Sequence, residues 1–140
     1  MEELGRRLMK AQNEGVYRWL ENDNADLSAP ETITHILRGQ YDITMAQKGG
    51  AWITRSLHAS PRLADIRLES HDQMVEKFVS VQMQMTPAAD RAEIVQKSRI
   101  TIETGYAILE MLIDRPELDV DKYLAETSIM LASISPGTSS

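Results

Sequence analysis

Apolar positions along this 140-residue chain recur at three- and four-residue spacing, the period of a helix with one buried face. At roughly 100° per residue, Leu4, Leu8, Ala11, Gly15 and Trp19 share a stripe over a first predicted helix, 2–22. Ile33, Ile36, Leu37, Gln40 and Thr44 do the same over a second, 30–47. In the segment 61–85, Leu63, Ile66, Ser70, Met74, Phe78, Val81 and Met85 align, and Asp65, Glu69, Asp72 and Glu76 fall opposite. That segment is amphipathic, with one core face and one solvated acidic face. Strand signals are weak: there is no Asn-Gly or Asp-Gly turn and no sustained period-2 alternation.

Helix punctuation sets the boundaries. Ser28-Ala29-Pro30-Glu31 has the form of a capping box with proline in the first turn. Ser60-Pro61 and Thr86-Pro87 each pair a hydroxyl N-cap with proline at the first helical position, and Asp119 caps the last helix after Arg115-Pro116 ends the one before. Gly49-Gly50 interrupts a further stretch. The spacing predicts helices at 2–22, 30–47, 51–58, 61–85, 87–114 and 120–134. The expected fold is all-α, an antiparallel bundle of about six helices forming one domain over 1–134, with a disordered SPGTSS tail at 135–140.

The segment 87–114 carries two stripes. Ile94, Ser98, Ile102, Gly105, Leu109 and Leu112 make one; Ile100, Thr104, Ala107 and Met111 make another roughly 180° away by the helical period. One stripe serves the chain's own core, so the second needs a cover, either surrounding helices of the same chain or a second subunit. The last helix favours the subunit: Leu124, Thr127 and Leu131 form its inner stripe, and Ala125, Ile129 and Ala132 run along another side. Two such C-terminal helices from each chain would build a symmetric four-helix seam, with Ile108 beside the outer stripe, so a homodimer is expected.

Composition narrows the function classes. With 42% hydrophobic and 26% charged residues, the chain is too apolar for a disordered one. The longest uncharged stretch, Phe78 to Ala89, is about half a bilayer span and contains Pro87. The N-terminus mixes acids among its bases without an apolar stretch, unlike a signal peptide, so a cytoplasmic location is expected. Absence of cysteine excludes disulfides and thiolate chemistry. A net charge of −6, with no Lys/Arg cluster, makes the chain a poor nucleic-acid binder on its own. Enzymatic chemistry and cofactors are not expected: neither His35 nor His71 follows a Glu at the spacing of di-metal bundles, no phosphate-cradling glycine loop is present, and no nucleophile elbow presents a serine.

The helix order, the Ser60-Pro61-Arg62-Leu63 opening of a long helix, the Gly105–Ile113 stretch GYAILEMLI and the closing DVDKYLAETSIMLASIS together resemble the C-terminal domain of tetracycline-repressor (TetR) family regulators. The resemblance implies a dimeric effector-binding domain, with DNA contacted only through an N-terminal helix-turn-helix domain that nothing in this chain matches. It further implies a small-molecule pocket between the second, fourth and fifth helices. Polar residues that break apolar inner stripes are the candidates for lining it: Gln40, Thr44, Arg67 and Ser70, with His71 at a stripe's edge. Tyr41, Met45, Trp52, Met74, Phe78 and Tyr106 are candidate walls for a small hydrophobic effector, methionine suiting varied apolar shapes. Arg67 or His71 would favour a ligand with an anionic or hydrogen-bond-accepting end. Each polar candidate equally suits a satisfied core hydrogen bond, and the rival function is a helical adaptor bundle without a pocket.

Overall fold

The computed structural model describes residues 2–21 and 26–134, so the 135–140 tail lies outside the described residues, as does the expected end of the first helix at position 22. Among the described residues the chain is all-helical: α1 (Glu2–Leu20), α2 (Pro30–Ala46), α3 (Gly50–Ala59), α4 (Pro61–Met85), α5 (Arg91–Asp114) and α6 (Val120–Ile134). None of these helices is long and apolar enough to cross a membrane.

Local chemistry explains most boundaries and corrects two. Asp119 caps α6 as expected, accepting from the Lys122 amide at 3.2 Å. Helix α5 begins at Arg91, not at 87, because Asp90 accepts the Ala92 amide at 3.0 Å and serves as N-cap. Thr86 instead closes α4, its amide donating to the Gln82 carbonyl; the residue before a proline resists helical backbone, so α4 ends there. The Ser28–Glu31 capping box does not form. Ala29 is the N-cap of α2, and Ser28 bonds through both amide and hydroxyl to Asp26 Oδ1, at 2.9 and 2.6 Å, a local turn that competes with helix capping. Gly49, at φ +74°, supplies the left-handed step between α2 and α3. A Cβ on Gly50 would lie 1.9 Å from the Thr44 carbonyl oxygen, so this junction admits only glycine.

Cross-helix pairs set the helix directions. His71 meets Glu103 and Asp72 meets Arg99, so α4 and α5 form an antiparallel hairpin. Thr34 with Ser128 and Arg38 with Asp121 make α2 and α6 antiparallel, and Gln12–Thr44 with Trp19–His35 does so for α1 and α2. One pair departs from that pattern: Arg6–Glu69, Asn13–Ser70 and Glu21–Lys77 show α1 and α4 running in the same sense.

The core has three apolar clusters: a central one of α1, α2, α4 and α5 around Val16, Ile36, Phe78 and Ile102; one of α2, α5 and α6 around Leu37, Leu112 and Leu124; and one of α1, α3 and α4 around Leu8, Leu57 and Ile66. The inner stripe of α5 is buried throughout, and all four acids opposite the α4 stripe are exposed. The α1 stripe is rotated from expectation. Its buried face is Gly5, Leu8, Met9, Gln12, Asn13, Val16 and Leu20, and Leu4 is exposed. Packing against α2 and α4 at once centres that face on Gln12 and Asn13, two polar residues that apolar periodicity does not count.

Ile100, Ala107, Ala125 and Ile129 are exposed on the outer faces of α5 and α6, joined by Met130, and Thr104 is half-buried. Three interface candidates fare differently. Ala132 is buried in its own chain's C-terminal cluster, because it lies one helical step from the inner residues Leu131 and Ser128; Ile108 and Met111 are half-buried against the same cluster.

Candidate functional site

At the centre of the bundle lies a cavity of about 30 Å³. Its walls come from α1 (Val16), α2 (Ile33, Ile36, Leu37), α4 (Met74, Phe78), α5 (Ile102, Gly105) and α6 (Leu131), with Leu27 from the connection before α2. Polar groups reach it from Gln40, Thr101 and Tyr106. A narrower space of about 10 Å³ shares Leu27, Ile33, Phe78, Thr101 and Leu131 with it and adds Gln82, Lys97 and Ser98. The two spaces are thus neighbours along one channel-like seam, divided by the side chains they share. A Cβ on Gly105 would stand 3.0 Å from Leu37 Cδ2, so glycine lets α5 approach α2 at this point.

Beside the cavity runs a buried polar lattice. Gln12 Nε2 donates to Thr44 Oγ1 at 2.6 Å, and Thr44 Oγ1 donates to the Gln40 carbonyl at 2.9 Å. Because the Thr44 proton is committed to that carbonyl, its oxygen must accept from Gln12, which fixes the amide's orientation and leaves Gln12 Oε1 without a partner. Asn13 Nδ2 donates to Ser70 Oγ at 3.1 Å, and the Tyr106 hydroxyl donates to Asn13 Oδ1 at 3.4 Å. Burial pushes the Tyr106 phenol well above its ordinary range, opposed by the Ser70 and Gln40 side chains. It therefore acts as a neutral donor.

His71 stacks on Tyr106, ring centroids 3.9 Å apart, and its Nδ1 lies 2.8 Å from Glu103 Oε1. Burial lowers its pKa; the hydrogen bond and charge of Glu103 oppose that and Arg67 adds to it. In the neutral ring Nδ1–H donates to the carboxylate. His58 Nε2 pairs with Glu110 Oε1. Burial lowers the His58 pKa and raises that of Glu110, with Arg67 acting as a nearby positive charge on both.

Of the ligand candidates named from sequence, Gln40, Met74, Phe78 and Tyr106 line the cavity. Thr44 and His71 are buried behind it as supports for Gln12 and Tyr106. The others are elsewhere. Ser70 bonds Asn13 and faces the groove between α1 and α4. Arg67 is half-buried near His58, His71 and Glu110, seven residues or about two helical turns before Met74, the first channel residue of its helix. Tyr41 packs on the C-terminal cluster beneath the Arg38 guanidinium. Met45 and Trp52 are 51% and 57% exposed and line neither space; they sit at the two ends of the Gly49–Gly50 junction, where the chain turns at the surface. Sequence reading missed Gln12, Gln82 and Ser98. Ser98 stood on the inner stripe of its helix, and a polar residue there was the available signal.

Among the described residues no group of three or more His, Asp or Glu side chains is placed to hold a metal ion. No known protein family, curated protein or solved structure matches this chain, so its function is read from the site.

Proposed function

We propose that this chain is the effector-binding and dimerisation unit of a regulator, the central channel taking a small hydrophobic ligand and the outer faces of α5 and α6 pairing with a second copy. The observation that carries the reading is the channel itself: apolar walls from five helices enclose it and a small number of polar side chains reach it, two of them, Gln82 and Ser98, with an unpartnered oxygen, the usual make-up of a small-molecule site. At about 30 Å³ it holds a water-sized probe or two, against about 300–1,000 Å³ for drug-sized ligands. Binding therefore requires the helices to part. That requirement suits a sensor, because a ligand shifts a conformational balance only by binding one arrangement better than the other. DNA would be reached only through a domain outside this chain.

Thermal melting and tryptophan fluorescence of Trp19 and Trp52 across a panel of hydrophobic effectors test the reading. A ligand at about 100 times its Kd is worth about 2.7 kcal/mol, or roughly 10 °C in Tm for a chain this long. A panel that moves neither signal overturns the sensing role. The channel's small volume favours one second reading, a helical adaptor whose outer α5–α6 face binds another protein; it predicts that null result together with retained partner binding.

A further inference from the structure

We infer that the narrow end of the channel, at Gln82 and Ser98, is a head-group subsite for a ligand bearing a single neutral hydroxyl; this rests on the reading of the channel as a ligand site. Among the described residues, four buried side-chain polar atoms lack a hydrogen-bond partner: Gln12 Oε1, Arg67 Nε, Gln82 Oε1 and Ser98 Oγ. Two of them, on facing helices α4 and α5, belong to residues lining the same 10 Å³ space. Both residues are more than nine-tenths buried, Gln82 at 9% and Ser98 at 2% exposure. Three other buried helix hydroxyls, Thr44, Thr54 and Ser128, each donate to the carbonyl four residues back. A pair of orphans on one space is thus a local feature, and such groups are stable when something supplies their missing bonds.

The donor and acceptor inventory selects the ligand group. Gln82 Oε1 only accepts, whereas the Ser98 hydroxyl donates and accepts. A hydroxyl satisfies both, donating to Gln82 and accepting from Ser98. An ether or carbonyl oxygen has no proton for Gln82. A carboxylate would set its lone pairs against the Gln82 oxygen and be stripped of water, and the neighbouring Lys97 ammonium is already held by Glu93 at 2.8 Å. Size agrees: a space of about 10 Å³ takes about one oxygen-sized atom. Phe78 and Ile33 wall both this space and the wider cavity, so once the helices part the ligand's apolar body extends past them towards Met74 and Tyr106.

The isomers 1-heptanol and 1-methoxyhexane, with the same heavy atoms and only one able to donate, test this by titration of tryptophan fluorescence and Tm. The wild-type chain is expected to bind 1-heptanol about five- to tenfold more tightly, the worth of a buried hydrogen bond. That preference should shrink to about onefold in Gln82→Met, which removes the acceptor that only the alcohol can meet, whereas Ser98→Ala should weaken both isomers alike and keep the preference. Equal binding of the isomers to wild type, a preference kept in Gln82→Met, or unchanged affinity of both isomers for Ser98→Ala overturns the subsite and leaves the ligand channel standing. If neither isomer binds at millimolar concentration, the channel reading falls and the subsite with it.

Discussion

Two serines offer a sharp comparison. Ser98 and Ser128 are 2% and 0% exposed, both inside helices. Replacing each by alanine removes one oxygen and adds the same gain in helix propensity, about 0.5 kcal/mol. Their partners differ. Ser128 Oγ donates to the Leu124 carbonyl at 2.7 Å and accepts from Thr34 Oγ1 at 2.8 Å, whereas Ser98 Oγ has none. Ser98→Ala therefore relieves a buried orphan worth about 1–3 kcal/mol and should raise stability by roughly 2 kcal/mol in total. Ser128→Ala forfeits two bonds of about 1 kcal/mol each and strands the Thr34 hydroxyl, for a net loss of about 1–2 kcal/mol. The variants should lie about 3 kcal/mol apart, or roughly 12 °C in Tm at about 4 °C per kcal/mol. Differential scanning calorimetry of the ligand-free protein at one pH decides it. A Ser98→Ala variant that melts as low as Ser128→Ala would show the Ser98 hydroxyl to be engaged and refute the reasoning from orphans.

Other consequences follow from the same geometry. Because His71 titrates below its ordinary 6.5 in the folded chain, the unfolded chain binds more protons between that lowered value and 6.5, so stability is lost on acidification through this window; His58 adds the same sign. Glu103→Gln removes the carboxylate that holds the His71 value up, and NMR titration of the ring should find it lower still; an unchanged or raised value would mean that Glu103 does not face the ring. Gly50→Ala puts a methyl against the Thr44 carbonyl at a contact of 1.9 Å and should cost about 2–3 kcal/mol or more, read as a lowered denaturation midpoint in urea; a neutral result would show that the α2–α3 junction gives way freely. On the proposed seam the wild type should sediment as a dimer, and the double variant Ile100→Glu/Ile129→Glu, which places charges on two exposed positions, should keep its helical circular dichroism and sediment as a 15.8 kDa monomer; a monomeric wild type refutes the seam.

Helix order, the solvated acidic side of α4 and the inner stripe of α5 were legible in the sequence because each is a local matter, a period of 3.6 residues with caps at its ends. What lay beyond reach was how the helices turn towards one another. The rotation of α1 onto Gln12 and Asn13, the exclusion of Arg67 and Ser70 from the channel and the surface positions of Met45 and Trp52 all depend on which neighbour each helix meets. Such meetings join distant residues, as when Tyr106 reaches Asn13 across 93 positions and Asn13 reaches Ser70 across 57. In the sequence Ser98 was one small member of an inner stripe. Only packing could leave its hydroxyl without a partner, facing the same small space as Gln82, because an unmet hydrogen bond is a property of what surrounds a residue and not of the residue itself.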